Sequence, residues 1–186
     1  EPLLNYANVL KSIEQITSPE GLGMSPRRIT VSTAGIAKMI QKLGDDQVKF
    51  NLALSLHAAN DTKRNQIMPI NESNTLQALK AALLYFFEKT GNEITLEYIV
   101  FNKFNDTIED ARELYEFAKG IPCKINLIEY NPIAQSSFVN AEADAIAKFS
   151  AFLESKRMIV NIRRSRGRDI DAACGQLAGK KAPADA

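Results

Sequence analysis

The sequence predicts an α/β fold built on a parallel sheet, and three observations lead there. Short runs rich in β-branched residues alternate with longer amphipathic runs along most of the chain. The strand-like runs are apolar at many positions, as strands covered on both faces are. The connections between them are long enough for a helix, so neighbouring strands pair in parallel through right-handed crossovers. The 186 residues suit one domain with a substantial core. Too few strands are present to close an eight-stranded ring, which leaves an open sheet or part of a barrel.

The elements follow in order. A helix is expected over 8–16, then a strand over 29–33 rich in Ile, Thr and Val. A helix over 37–43 is expected to stop at Gly44, and a strand follows over 48–56. The clearest helix runs over 75–90, with Asn74 as its N-cap, Gln77 three residues on and Gly91 as its left-handed end. Leu76, Leu79, Leu83 and Phe86 recur at helical spacing and form its buried stripe. A strand over 94–100, a helix over 107–119 closed by Gly120, a strand over 124–130, a helix over 141–156 and a strand over 158–163 complete the alternation. Residues 1–178 read as the folded portion and 179–186 as a disordered tail.

Composition narrows the function. Hydrophobic residues make up 45% and charged residues 24%, ordinary for a soluble globular protein. The longest apolar run, Ala81 to Phe87, is far too short to span a membrane. No signal peptide is recognisable, and two cysteines make no disulfide framework, so the expected location is the reducing cytoplasm. Cys123 and Cys174 with a single histidine do not give zinc or iron–sulfur spacing, so no metal ligand is expected in this chain. The net charge of +1 does not announce a nucleic-acid binder. Arg163, Arg164, Arg166 and Arg168 nevertheless cluster near the C-terminus, and Arg27 and Arg28 form a second basic pair. The chain opens on Glu1-Pro2-Leu3-Leu4-Asn5 without an initiator methionine, which suggests part of a longer protein.

In parallel β/α architectures ligands bind where the strands end. Those ends carry Ser32-Thr33-Ala34-Gly35, Ser55-Leu56-His57-Ala58, Asn102 with Asn105-Asp106, and Tyr130-Asn131-Pro132. Each has a structural reading: helix caps for Ser32 and Thr33, a satisfied histidine at His57, a turn at Asn131-Pro132. Together they would surround one ligand with hydrogen-bonding groups. Cys174 follows arginines and is flanked by small residues, so a cation-stabilised thiolate and an inert buried thiol both fit it. Cys123 begins a strand without polar company and reads as packing.

These segments carry a resemblance. Glu1-Pro2-Leu3-Leu4-Asn5, Arg27-Arg28 with Ser32-Thr33-Ala34-Gly35, Ser55-Leu56-His57-Ala58, Ile125 through Asn131-Pro132, and Asp169-Ile170-Asp171-Ala172-Ala173-Cys174-Gly175-Gln176-Leu177 stand in one order. In that order they resemble the C-terminal part of the bacterial radical S-adenosylmethionine enzymes that methylate carbon 2 of adenine in ribosomal and transfer RNA. The resemblance implies a partial (β/α) barrel of the radical S-adenosylmethionine type, of which this chain holds the later strands. It implies that Glu1 holds the cofactor's amino group and that Ser32, Ser55, Leu56, His57 and Asn131 are its other contacts. It assigns Cys174 the role of methyl carrier, with a second cysteine helping to release the product and leaving a disulfide to be reduced.

The same resemblance implies S-adenosylmethionine and a 4Fe-4S cluster as cofactors. The cluster loop, Cys-x-x-x-Cys-x-x-Cys, is absent from this chain and is expected upstream of Glu1. The expected partners are ribosomal RNA, transfer RNA and an electron donor, with no membrane. The chain alone is expected to be inactive. Its first strand, exposed as an edge, is expected to pair with another copy. Two rival readings stand beside this one. One is the sister branch that methylates carbon 8 of the same adenine, disfavoured by Pro2-Leu3-Leu4-Asn5. The other is a non-catalytic α/β module that binds RNA or a nucleotide.

Overall fold

The computed structural model describes residues 1–132 and 136–164. Among them, five strands form one sheet: β1 (Thr30–Thr33), β2 (Asn51–Ser55), β3 (Ile94–Val100), β4 (Cys123–Glu129) and β5 (Ile159–Arg163). The spatial order is β1-β2-β3-β4-β5, and every neighbouring pair is parallel. Six α-helices run among them: α1 (Tyr6–Thr17), α2 (Ala37–Asp45), α3 (Asp61–Ile67), α4 (Leu76–Thr90), α5 (Ile108–Ala118) and α6 (Ala143–Ser155). A strand order that never reverses is the winding of a barrel rather than of a doubly wound sheet. The sheet stays open, with β1 and β5 at its edges, as a partial barrel requires.

Alternation along each strand separates two faces. Val31, Leu52, Leu54, Ile94, Leu96, Tyr98, Val100, Ile125 and Leu127 form the face buried in the core. They meet Ile40 and Leu43 of α2, Leu79, Leu83 and Phe86 of α4, Leu114 of α5, and Phe149 and Leu153 of α6. The opposite face carries Thr30, Ser32, Ser55, Thr95, Glu97 and Asn126 and lines a cavity.

Several sequence expectations need correction. The N-cap of α4 is Thr75, whose side chain accepts from the Ala78 amide. Asn74 instead accepts from the Ala37 amide at 2.9 Å, so it caps the neighbouring α2. Gly44 does not end α2 but is its next-to-last residue; a Cβ there would stand 3.1 Å from the Tyr85 ring, so it is a close-packing position between α2 and α4. β2 is shorter than expected, beginning at Asn51. Helix α3 was not expected at all. Gly91 ends α4 with φ of 64° as expected, and Thr107 with Asp110 closes a capping box on α5. The tail over 179–186 lies outside the described residues.

The core makes one simple prediction. Phe149 is wholly buried, its ring centroid 5.4 Å from that of Tyr98, and joins α6 to the central strand. Phe149→Ala is expected to lower the unfolding free energy by about 3–5 kcal/mol, read from urea titration.

Candidate functional site

The strand ends and the polar face of the sheet enclose a cavity of about 650 Å³, within the range of small-molecule sites. Its walls include Ser32 from β1, Ser55 and His57 from β2 and its loop, and Asn131 after β4. Four of the six residues implied as cofactor contacts therefore face one space. Ser32 is exposed on the wall, Ser55 and His57 are half-buried, and Asn131 is buried.

The other two stand differently. Glu1 sits just past the end of β1 rather than in the cavity wall. Its Oε1 accepts from the Leu3 amide at 3.0 Å and the Thr33 hydroxyl at 2.8 Å, and its Oε2 accepts from the Ala34 amide at 2.6 Å. The carboxylate is thereby fixed next to Ser32, at the same strand end. Leu56 turns its side chain into the core, with its N–H given to the Glu97 carbonyl at 2.9 Å and its carbonyl to Arg64 Nε at 3.0 Å. Cys174, Arg166 and Arg168 lie outside the described residues.

His57 has a defined protonation state. Its Nδ1 accepts from the Ile99 amide at 3.1 Å, which places the remaining ring proton on Nε2. Desolvation, reinforced by the nearby Arg64 guanidinium, lowers its pKa from 6.5 to about 4. The backbone at His57 has φ of 56°, a left-handed conformation that costs energy for a residue with a side chain. Asn105 helps hold it. This wholly buried amide donates to the His57 carbonyl at 2.7 Å and to the Ile99 carbonyl at 2.8 Å, and accepts from the Phe101 amide at 2.7 Å. The loops after β2 and β3 are thus stapled together.

Arg64 is the residue that sequence reasoning missed. It projects from α3, is wholly buried, and donates to the carbonyls of Ala34 at 2.7 Å, Ser55 at 3.2 Å and Leu56 at 3.0 Å. Its Nη1 reaches Asn71 Oδ1 at 2.7 Å, and Asn71 donates in turn to Asp61 and Asn65. Burial lowers its pKa to about 10, partly offset by Asp61. The available signal was Asn60-Asp61 ahead of Pro69, a helix start and stop bracketing α3. Nothing in the sequence marked the arginine as buried, since arginines are mostly solvated.

The donor set suits a molecule bearing a carboxylate, a ribose and a purine: two hydroxyls, an Nε2–H, a carboxamide and a fixed carboxylate at one strand end. S-adenosylmethionine fits that description. An iron–sulfur cluster does not fit the residues present. Cys123 opens β4, at the end of the sheet away from the cavity, and burial pushes its thiol up to about 12. Among the described residues no group of three His, Cys, Asp or Glu side chains could hold a metal ion, and no helix is long and apolar enough to cross a membrane.

No protein-family model matches the chain. Curated proteins do. The chain is 65% identical over 181 residues to a protein of Cytophaga hutchinsonii described as a probable dual-specificity RNA methyltransferase RlmN, covering 97% of the chain and 50% of that protein. It is 57% identical to the protein of the same description from Christiangramia forsetii, covering 98% of the chain and 52% of the relative. With the dual-specificity RNA methyltransferase RlmN of Nautilia profundicola it shares 40% identity over 97% of the chain and 51% of the relative. The chain therefore spans about half the length of the curated relatives it matches. Among solved structures, a radical SAM methyltransferase from Sphaerobacter thermophilus superposes with a TM-score of 0.91 at 35% identity, over 95% of this chain and 52% of that one. A domain of a pyruvate-formate lyase-activating enzyme from Bacteroides vulgatus shares the fold at 12% identity, with a TM-score of 0.67, over 88% of this chain and 94% of that one.

The state of His57 can be read directly, since it is the chain's one histidine. Nitrogen-detected NMR is expected to show the Nε2–H tautomer with a midpoint near 4. As pH falls from 6.5 towards 4 the unfolded chain takes up a proton that the folded one refuses, so His57 withdraws stability across that window. His57→Gln is expected to remove this part of the pH dependence in denaturant titrations, and an unaltered slope would refute the assignment.

Proposed function

The chain belongs to the radical S-adenosylmethionine RNA methyltransferases represented by these relatives, and from that membership we propose that the protein carrying it methylates carbon 2 of an adenine in ribosomal and transfer RNA. The observation that carries the reading is the convergence of Ser32, Ser55, His57 and Asn131 on one cavity, in a chain 65% identical to a probable dual-specificity RNA methyltransferase. The radical S-adenosylmethionine methyltransferase likeness in structure supports the same chemistry.

In this reading each residue has a task set by its geometry. Glu1, held by Thr33 and Ala34, receives the cofactor's ammonium group. Ser32 and Ser55 offer hydroxyls to ribose or carboxylate oxygens. His57, neutral with its proton on Nε2, donates one hydrogen bond without adding charge beside a sulfonium. Asn131 presents a carboxamide to the purine edge, and Leu56 fills the wall behind. When bound, the cofactor supplies both a methyl group and, on one-electron reduction, the radical that makes an electron-poor carbon reachable. Cys174 would serve as the methyl carrier, its thiolate being the group to take up the methyl that the cofactor would supply. The protein's share is position and exclusion of water.

A chain with two cysteines cannot bind the cluster this chemistry needs. The proposal therefore assigns the 4Fe-4S ligands and the resolving cysteine to the rest of the protein, makes this chain alone inactive, and places the protein in the cytoplasm with its RNA and an electron donor. Arg164, with Arg166 and Arg168, is suited to RNA phosphates near the reacting base.

The test is mass spectrometry of RNA after reaction of the full-length protein, anaerobically reconstituted with iron and sulfide, with methyl-labelled S-adenosylmethionine. Label is expected on adenine carbon 2, and Cys174→Ala is expected to abolish it. Label on carbon 8 would place the protein in the sister branch, and none at all would leave a binding module.

A further inference from the structure

The cavity face carries a polar row that the cofactor contacts leave unused. On β3 the even-numbered residues Ile94, Leu96, Tyr98 and Val100 are wholly buried in the core, while Thr95, Glu97 and Ile99 turn to the cavity. Glu97 stands in register with Ser55 on one side and Asn126 on the other, and Asn126 with Asn161. Asn126 Nδ2 donates to Glu97 Oε1 at 2.8 Å, and Asn161 Nδ2 donates to Asn126 Oδ1 at 3.1 Å. Arg163 Nη1 donates to Glu97 Oε2 at 3.2 Å. The Glu97 side chain is 13% exposed and that of Arg163 is 56% exposed.

Stability does not account for this carboxylate. Glutamate is a poor strand former, and pairing a largely buried carboxylate with a guanidinium that is more than half exposed returns little beyond the desolvation it costs. An apolar side chain at 97 would simply extend the surface already made by Ile99 and Ile128, one step nearer the strand ends. Instead each carboxylate oxygen is fixed by one donor. A carboxylate oxygen accepts about two hydrogen bonds, so the pair keeps capacity for a ligand donor, with a guanidinium alongside.

We propose that Glu97 and Arg163 select the substrate adenine, Glu97 accepting from its exocyclic amino group and Arg163 donating to ring nitrogen N7. This rests on the adenine-methyltransferase reading and adds to it the residues that choose the base. Ile99 and Ile128 supply the apolar surface on which the ring lies. Guanine brings a carbonyl oxygen where adenine has its amino group, and a fixed carboxylate repels it. Held along the N6–N7 edge, adenine keeps carbon 8 against Arg163 and turns carbon 2 to the open side. Regiochemistry and base choice then have one cause.

The experiment uses the full-length protein and binding rather than turnover, so that failure of the methylation reading is seen separately. The probe is an RNA hairpin with one unpaired loop adenine, compared with hairpins carrying purine, which lacks the amino group, or 7-deazaadenine there. Wild type is expected to prefer adenine over purine by about tenfold. Glu97→Met is expected to bind both alike, Glu97→Gln, which keeps an acceptor, to recover most of the preference, and S-adenosylmethionine affinity to stay within about twofold throughout. Arg163→Met, at an exposed position, is expected to erase the preference for adenine over 7-deazaadenine. No adenine preference in wild type would overturn the proposal, as would a preference that survives both Glu97→Met and Arg163→Met. A fall in cofactor affinity with the preference intact would overturn it too, because the carboxylate would then belong to the cofactor's site.

Discussion

One buried guanidinium holds the strand-end loops in place. Arg64 reaches three backbone carbonyls, at Ala34 after β1 and at Ser55 and Leu56 at the end of β2. Those carbonyls lie at or just past the end of the ladder, and each would cost about 1–3 kcal/mol if buried unpaired. A planar five-donor group meets several at once; a lysine ammonium, a single point, could not replace it. The cost is a desolvated cation. It is met by polarised oxygens and by Asn71, which links the guanidinium to Asp61 without a direct ion pair. Ser55 and His57 are therefore positioned from below, by a helix that does not line the cavity. Asn105 does the same from the β3 side. Between these two fixed groups, His57 can keep its left-handed backbone.

Much of this was legible, for a physical reason. Strand periodicity separates two faces, and in Ile94-Thr95-Leu96-Glu97-Tyr98-Ile99-Val100 the alternation alone puts Thr95 and Glu97 together. The ends of the strands follow from the same pattern, so Ser32, Ser55, His57 and Asn131 could be placed on one rim. What periodicity cannot give is which polar residue is buried. Arg64 sits in the seven-residue helix α3, too short for an apolar stripe to declare itself. The misplaced cap has a similar origin. Asn74 and Thr75 are adjacent and both suit an N-cap, and only the packing of α2 beside α4 decides that Thr75 caps its own helix while Asn74 serves the other. Gly44 reads as a stop because glycine ends helices, yet here its missing side chain admits the Tyr85 ring.

The two faces of the sheet also divide fold from function. The core face is met by Leu, Ile and Phe, and that pattern tolerates great change in sequence. The activating-enzyme domain keeps the fold at 12% identity, which says nothing about chemistry. The cavity face is the discriminating one. It is polar at Ser32, Ser55, Thr95, Glu97 and Asn126, where an unused barrel interior would fill with branched apolar side chains. A sheet that gives up that much burial on one face must recover it on the other, and the wholly buried runs on β2, β3 and β4 do so.

Charge placement carries the argument one step further. In the proposed reading, a sulfonium cofactor and a neutral purine would make opposite demands on one cavity: the first is repelled by added cations, and the second is distinguished only by its pattern of donors and acceptors. The side chains present would separate these demands in space. The β1–β2 side offers a carboxylate fixed by neutral donors and a histidine kept neutral by desolvation. The β3–β5 side offers a carboxylate and a guanidinium that neutralise each other while keeping opposite hydrogen-bonding senses. Neither half adds net positive charge where the sulfonium would lie. The guanidinium of Arg64, close beneath, is turned onto backbone and side-chain oxygens and the Met68 sulfur and sealed under the loops, where its charge adds to desolvation in keeping His57 unprotonated.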